Sequence, residues 1–209
     1  MIGLIKKDLL MIKSNLKLVV AMLFVFFIMT LQGSFDISFV PAFISVMLFM
    51  STFSYDEYNK WDAYAITLPN GRKNIVKSKY IATLILVVAS ILITILLNII
   101  VGYINHNVDY DSIFSIMAGC FFGITIIQSI MYPLIFKFGI EKGRIGLFVG
   151  IFGMVAIIGL LSNVIDINIS TNIISFVEKY WMLGVFIISM ILLVISYKIS
   201  EKIYLKKEF

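Results

Sequence analysis

Residues 81–105 read IATLILVVASILITILLNIIVGYIN, a run without Asp, Glu, Lys, Arg or His. As a helix rising about 1.5 Å per residue, this run is long enough to cross the roughly 30 Å of hydrocarbon in a bilayer. Five more uncharged apolar runs reach or approach the same length: Leu18 to Phe35, Ile37 to Tyr55, Ser112 to Phe136, Ile145 to Ile165 and Tyr180 to Tyr197. With 61% hydrophobic residues and a mean hydropathy of +1.04, the chain is more apolar than the interior of a water-soluble domain can hide. The sequence predicts an all-α integral membrane protein of six transmembrane helices, a single domain over residues 1–209. Only Gln32 to Asp36 separates the first two runs, which predicts a tight turn between them.

Six crossings place both termini on one side, and the basic residues say which. With the N-terminus in the cytoplasm, only Lys179 of the 17 Lys and Arg residues lies on the outer side. Most of the outer charge is then acidic: Asp36, Asp109, Asp111, Asp166 and Glu178. This is the positive-inside pattern, N-in and C-in. It also absorbs the net charge of +5, which faces anionic inner-leaflet lipid and gives no reason to invoke nucleic acid. A charged helix ahead of the first run, with no small-x-small cleavage site after it, predicts that this run is kept as a span. Cys120 is the only cysteine and lies mid-span, where it reads as a small apolar packing residue without a disulfide.

One polar segment of any size interrupts the apolar runs. Tyr55 to Tyr80 carries Asp56, Glu57, Lys60, Asp62, Arg72, Lys73, Lys77 and Lys79. Tyr58, Trp61, Ala65 and Leu68 recur at helical spacing, with Asp56 and Lys60 paired at i and i+4. Pro69 disfavours helical geometry at Leu68, and Asn70-Gly71 predicts a turn. A second helix then starts near Arg72 and runs through Ile75, Val76 and Tyr80 into the third span. The segment 56–79 is thus expected to hold a short aromatic-faced helix under the membrane. Tyr55 and Tyr80 read as interfacial anchors, whereas Trp61 lies too far from either membrane boundary for that role. At the N-terminus, Ile2, Ile5, Leu9, Ile12 and Leu16 recur at three and four, with Lys6, Asp8, Lys13 and Asn15 elsewhere on the wheel. This is an amphipathic interfacial helix over 1–17, either a topogenic anchor or an elbow that sets the angle of the first span.

Within the spans, Gly119-x-x-x-Gly123 and Gly146-x-x-x-Gly150 allow close helix approach, inside one chain or at a seam between two. Asn98, Gln128 and Asn163 are read as hydrogen-bonding to neighbouring helices. His106 has no partner at metal-ligand spacing, so no metal site is expected. The apolar runs hold no ionisable residue, which removes the parts of a proton relay. Gly71-Arg72-Lys73 lacks the upstream glycine and the hydroxyl of a P-loop, so the chain is not expected to hydrolyse ATP. No His-Glu-x-x-His or Gly-x-Ser-x-Gly occurs either, and an enzyme is the class the sequence supports least.

The string Glu57, Trp61-Asp62, Tyr64, Leu68-Pro69, Arg72, Ile75-Val76 and Lys79-Tyr80, with Lys7-Asp8 in the N-terminal helix, resembles small permease subunits of bacterial ABC-2 type transporters. The resemblance is strongest over residues 1–80. Gly71 stands where the pattern commonly has a hydroxyl residue, a change that a helix N-cap tolerates. What the resemblance implies is a six-helix permease of the bacterial cytoplasmic membrane that pairs with a second permease chain, identical or not. It implies two separate P-loop ATPase subunits that hold the ATP and Mg, with no cofactor on this chain. The cytoplasmic helix after the second span would be the coupling helix, seated in a cleft of the ATPase. Carried onto this sequence, the coupling site is Asp56, Glu57, Tyr58, Trp61, Asp62, Tyr64, Leu68 and Arg72. Tyr58, Trp61, Tyr64 and Leu68 would form the apolar plug, and Glu57, Asp62 and Arg72 the rim charges. Ile5, Lys7, Asp8 and Leu9 of the elbow helix would flank it. Uncharged spans and short outer loops favour export of an apolar or amphipathic substrate: a peptide, a lipid or a drug-like molecule. The alternative is a substrate-binding membrane subunit of a vitamin or metal uptake transporter. Those subunits use small-residue motifs such as Ala-x-x-x-Ala in the first span, which Leu18 to Phe35 lacks.

Overall fold

The computed structural model describes residues 2–33, 35–65, 67, 71–106, 110–146, 148–149 and 171–207, with the backbone alone described at 62 and 171–182. Among these residues the secondary structure is helical, with no strand. The order is α1 (Ile2–Ser14), α2 (Leu16–Leu31), a 3-10 turn (Ile37–Phe39), α3 (Val40–Tyr58), α4 (Trp61–Ala65), α5 (Gly71–Ile104), α6 (Tyr110–Phe138), α7 over 140–146, and α8 (Thr171–Lys206). Four segments are long and apolar enough to cross a bilayer: Ile37–Tyr58, Gly71–Ile104, Tyr110–Phe138 and Leu183–Lys206. The pair α1 and α2 qualifies together as a fifth, bent by 51°. At about 1.5 Å per residue α2 alone covers about 24 Å, short of the hydrocarbon thickness. Most of the span expected over Ile145 to Ile165, with Gly150 and Asn163, lies outside the described residues.

Local chemistry sets the ends of these helices. Gly33 leaves α2 with a φ of 70° while its N–H donates to the Thr30 carbonyl at 2.9 Å. The Asp36 carboxylate then accepts from the Ser38 N–H at 2.9 Å and starts the 3-10 turn. This makes the tight turn predicted between the first two runs. Pro41 sits in the first turn of α3, where its missing N–H leaves no intrahelical partner unsatisfied. Helix α5 starts at Gly71, where the Asn70-Gly71 turn predicts a start, and its length of about 51 Å carries its first turns past the hydrocarbon.

The end of the bundle that the charge bias assigns to the cytoplasm has an aromatic core. Tyr132 of α6 stacks on Tyr80 of α5 at 4.3 Å and meets Phe49 and Phe53 of α3 at 5.5 and 5.4 Å. Phe136 joins Phe53 at 5.5 Å and Tyr204 of α8 at 5.2 Å. Tyr80 is therefore not an interfacial anchor: it is 7% exposed, and its hydroxyl bonds to Ser196 at 2.7 Å and Ser200 at 2.9 Å. Two serines on the facing helix give the phenol the partners that water would supply at an interface.

Asn98 does bond across helices, accepting from the Ser38 hydroxyl at 2.8 Å. Gln128, 1% exposed, has no hydrogen-bond partner for its amide nitrogen among the described residues. Of the glycines singled out by their spacing, Gly146 is at a close approach within the chain. A Cβ at Gly119 or Gly123 would meet nothing within 4 Å among the described residues. The tight approach is at α7, where a Cβ at Gly143 would come within 2.8 Å of Ile135 and one at Gly146 within 3.3 Å of Leu134. These two glycines let α7 fold back closely on α6.

Candidate functional site

Each of α1, α3 and α5 carries a charged residue in the register of its buried apolar face. On α1 the inward residues are Leu4, Asp8 and Ile12; on α3, Phe49, Thr52, Phe53 and Asp56; on α5, Ile75, Val76, Lys79, Thr83 and Leu86. The three faces meet, and Lys7 completes a closed ring of charge. Lys79 Nζ lies 3.0 Å from Asp8 Oδ1 and 2.6 Å from Asp56 Oδ2. Lys7 Nζ pairs with Asp56 Oδ1 and lies 3.3 Å from Asp8 Oδ1. Lys79 also reaches the Thr52 hydroxyl at 3.3 Å and carbonyl at 3.4 Å, with the Phe53 ring centroid 4.7 Å away. Asp8 is 1% exposed, Lys79 3% and Asp56 5%. Two acids and two bases leave the ring neutral, the condition under which charges persist in such an interior.

The ring corrects one reading of the sequence. Asp8 belongs to the inner face of α1, not the polar one, because it pairs with Lys79 there. Ile5 and Leu9 flank the inner face and are half-buried. Asp56 and Lys79 lie just outside the uncharged runs Ile37 to Tyr55 and 81–105, where α3 and α5 continue past them. Both sit near the same end and neutralise one another, so they form no relay across the membrane.

Beside the ring lies α4. The helix expected over 56–68 is divided: α3 runs on through Tyr58, the Asn59 side chain caps it by donating to the Tyr55 carbonyl at 2.9 Å, and Lys60 turns the chain at a φ of 49°. Asp56 thereby belongs to the buried ring, away from any rim. Trp61 opens α4, half-buried against the core, with Lys7 Nζ 4.6 Å from its ring centroid and Tyr64 at 5.1 Å. Ala65 is fully buried, while Tyr58 and Tyr64 are 87% and 58% exposed. The Asp62 side chain and Leu68 lie outside the described residues.

Two further sequence-predicted residues fasten helix ends. Glu57 Oε2 accepts from the Ile140 N–H at 2.7 Å, placing a carboxylate at the N-terminus of α7. Gly139 just before it has a φ of 83°, and a Cβ there would lie 3.0 Å from Glu57 Oε1. Arg72 donates from Nη1 to the Leu205 carbonyl at 2.7 Å, at the C-terminal end of α8. Between the ring and the α6–α7 corner is a cavity of about 120 Å³ bordered by Asp56, Glu57, Lys79, Gly139 and Lys207.

Nearly the whole chain, residues 3–205, matches the pattern of ABC-2 family transporter proteins. The chain belongs to the ABC-2 transporter family. No curated protein and no solved structure matches it. Membership makes it a multi-pass membrane subunit of a family that is generally not catalytic itself and associates with ABC ATPases.

In this ABC-2 protein, Lys79 is the residue that site prediction from sequence missed. Its signal was a lysine at i+3 and i+4 from Val76 and Ile75, on the apolar face of a long helix. Asp56 carries the same signal beyond Phe53. A charge in an apolar register calls for a counter-ion on a neighbouring helix, and the ring holds two acids and two bases.

Proposed function

We propose that this chain is the transmembrane subunit of an ABC exporter, moving an apolar or amphipathic substrate outward under the power of separate ATPase subunits docked at the segment 56–79. The observation that carries the reading is the corner at α4: Tyr58 at the end of α3 and Tyr64 on α4 are turned outward, and α4 is pinned through Trp61 and Lys7 to a buried ring that joins three helices. Exposed aromatics beside a rigid anchor are the usual energetic centre of a protein interface. A push on α4 by a closing ATPase pair would pass through Lys7 into α1, α3 and α5 together. Family membership favours this over the vitamin or metal uptake subunit.

The test is co-purification in mild detergent with mass spectrometry of bound P-loop ATPases. Trp61→Ala should weaken recruitment by about 2 kcal/mol or more, roughly 30-fold. Because Trp61 also touches Lys7, the double variant Tyr58→Ala/Tyr64→Ala isolates docking from folding. ATPase recovery unchanged in that double variant would mean the coupling site is elsewhere.

A further inference from the structure

We propose that the cleft between α3 and α7 binds an anionic diacyl lipid or a close chemical analogue from the inner leaflet, with its headgroup on the Arg144 guanidinium. The cleft has a volume of about 840 Å³, within the roughly 300–1,000 Å³ of small-molecule sites. Its lining is graded. Along α3 it passes from Met47 and Met50 through Ser51 and Ser54 to Tyr55 and Tyr58, while Arg144 and Phe148 border the other side. Tyr58 lies at the end of α3 near the charge ring, so polar groups line the cytoplasmic end and apolar ones the part deeper in the membrane.

Arg144 is more than one of many topogenic cations. Its Nη2 donates across the cleft to the Ser54 hydroxyl at 3.0 Å, and among the described residues no carboxylate lies within ion-pair distance of it. A guanidinium has five N–H donors in a planar fork that matches a phosphate or carboxylate. On the other flank of α3 is a second groove of about 250 Å³, bordered by Leu18, Val19, Met22 and Ile44. Met47, Ser51 and Tyr55 line both. One cationic head position with an apolar groove on each side of a ridge fits an anion carrying two chains better than a soluble anion. That such a molecule is the cargo rests on the export reading; that it binds does not.

The experiment is native mass spectrometry of the purified chain alone, in detergent, offered phosphatidylglycerol or phosphatidylcholine with matched acyl chains. Wild type should retain phosphatidylglycerol at least about tenfold better. Arg144→Gln should abolish the preference, Arg144→Lys should keep part of it, and Met50→Trp should reduce retention of both lipids. Circular dichroism confirms that each variant stays folded. Equal retention of the two lipids by wild type, or a preference unchanged in Arg144→Gln, overturns the proposal. So does displacement of phosphatidylglycerol by equimolar glycerol phosphate, since the grooves would then contribute nothing. So does oxidative dimerisation of Ser51→Cys, in a Cys120→Ser background, without lipid retention, which would make the cleft a seam between copies. None of these measurements uses an ATPase, so failure here and failure of the coupling site at Tyr58 and Tyr64 are separate results.

Discussion

At Lys79 a positive charge is held inside the bundle with 3% of its surface exposed, next to two acids from two other helices. Removing one member of such a group leaves the others unbalanced and costs more than the pair contributes when intact. Lys79→Met should therefore lower the unfolding free energy by roughly 3–5 kcal/mol, read from denaturation in detergent. Adding Asp8→Leu should recover part of that loss, because Lys7 and Asp56 then remain as a neutral pair. If the double variant is no more stable than Lys79→Met, the ring is not the source of the cost. Lys79 was visible in the sequence as a lysine in an apolar register; its partners were not, since four charges admit several pairings.

At the scale of elements, the two corners at the end of the bundle that holds the charge ring behave differently. Helix α4 has five residues, too few to hold together without its neighbours, so its geometry depends on Ala65 in the core and Lys7 against Trp61. Its break from α3 at Lys60 carries no sequence signal, because lysine seldom adopts a left-handed conformation. The α6–α7 corner is built from Gly139 and the Glu57 carboxylate. Gly139→Ala meets both the positive φ and the carboxylate and should cost about 1–3 kcal/mol. Glu57→Gln keeps an acceptor for the Ile140 N–H and loses only the charge facing the helix dipole, about 0.3–1 kcal/mol. Thermal unfolding of the two variants checks this order, and a larger loss in Glu57→Gln would make the charge the dominant part of the corner. From sequence, Glu57 was expected on a docking rim; its amide partner lies 83 positions away, beyond any local pattern.

In the whole molecule, the start of α1, the segment 56–79, the α6–α7 corner and the end of α8 are tied to one another at one end by Lys7–Asp56, Lys79–Asp8, Glu57–Ile140 and Arg72–Leu205. The positive-inside rule assigns that end to the cytoplasm. In a Cys120→Ser background, a membrane-impermeant maleimide should label Asn105→Cys in intact cells and Lys73→Cys only after permeabilisation. The reverse pattern would put α4 outside the cell, beyond the reach of any ATPase.

The sequence by itself determined the membrane class, the places of the long helices α3, α5, α6 and α8, the tight turn at Gln32 to Asp36, and the family. These follow from local quantities: the length of an apolar run, the residues at its ends and a motif read in order. Only the tertiary structure decided that Asp8 and Asp56 turn inward to Lys79, that Tyr80 is buried among serines, and that Arg144 faces Ser54 across a cleft. Each of those depends on the rotation and depth of helices far apart in the chain. A helix can turn any of its faces to a neighbour, and the packing that selects one is settled by all of them together.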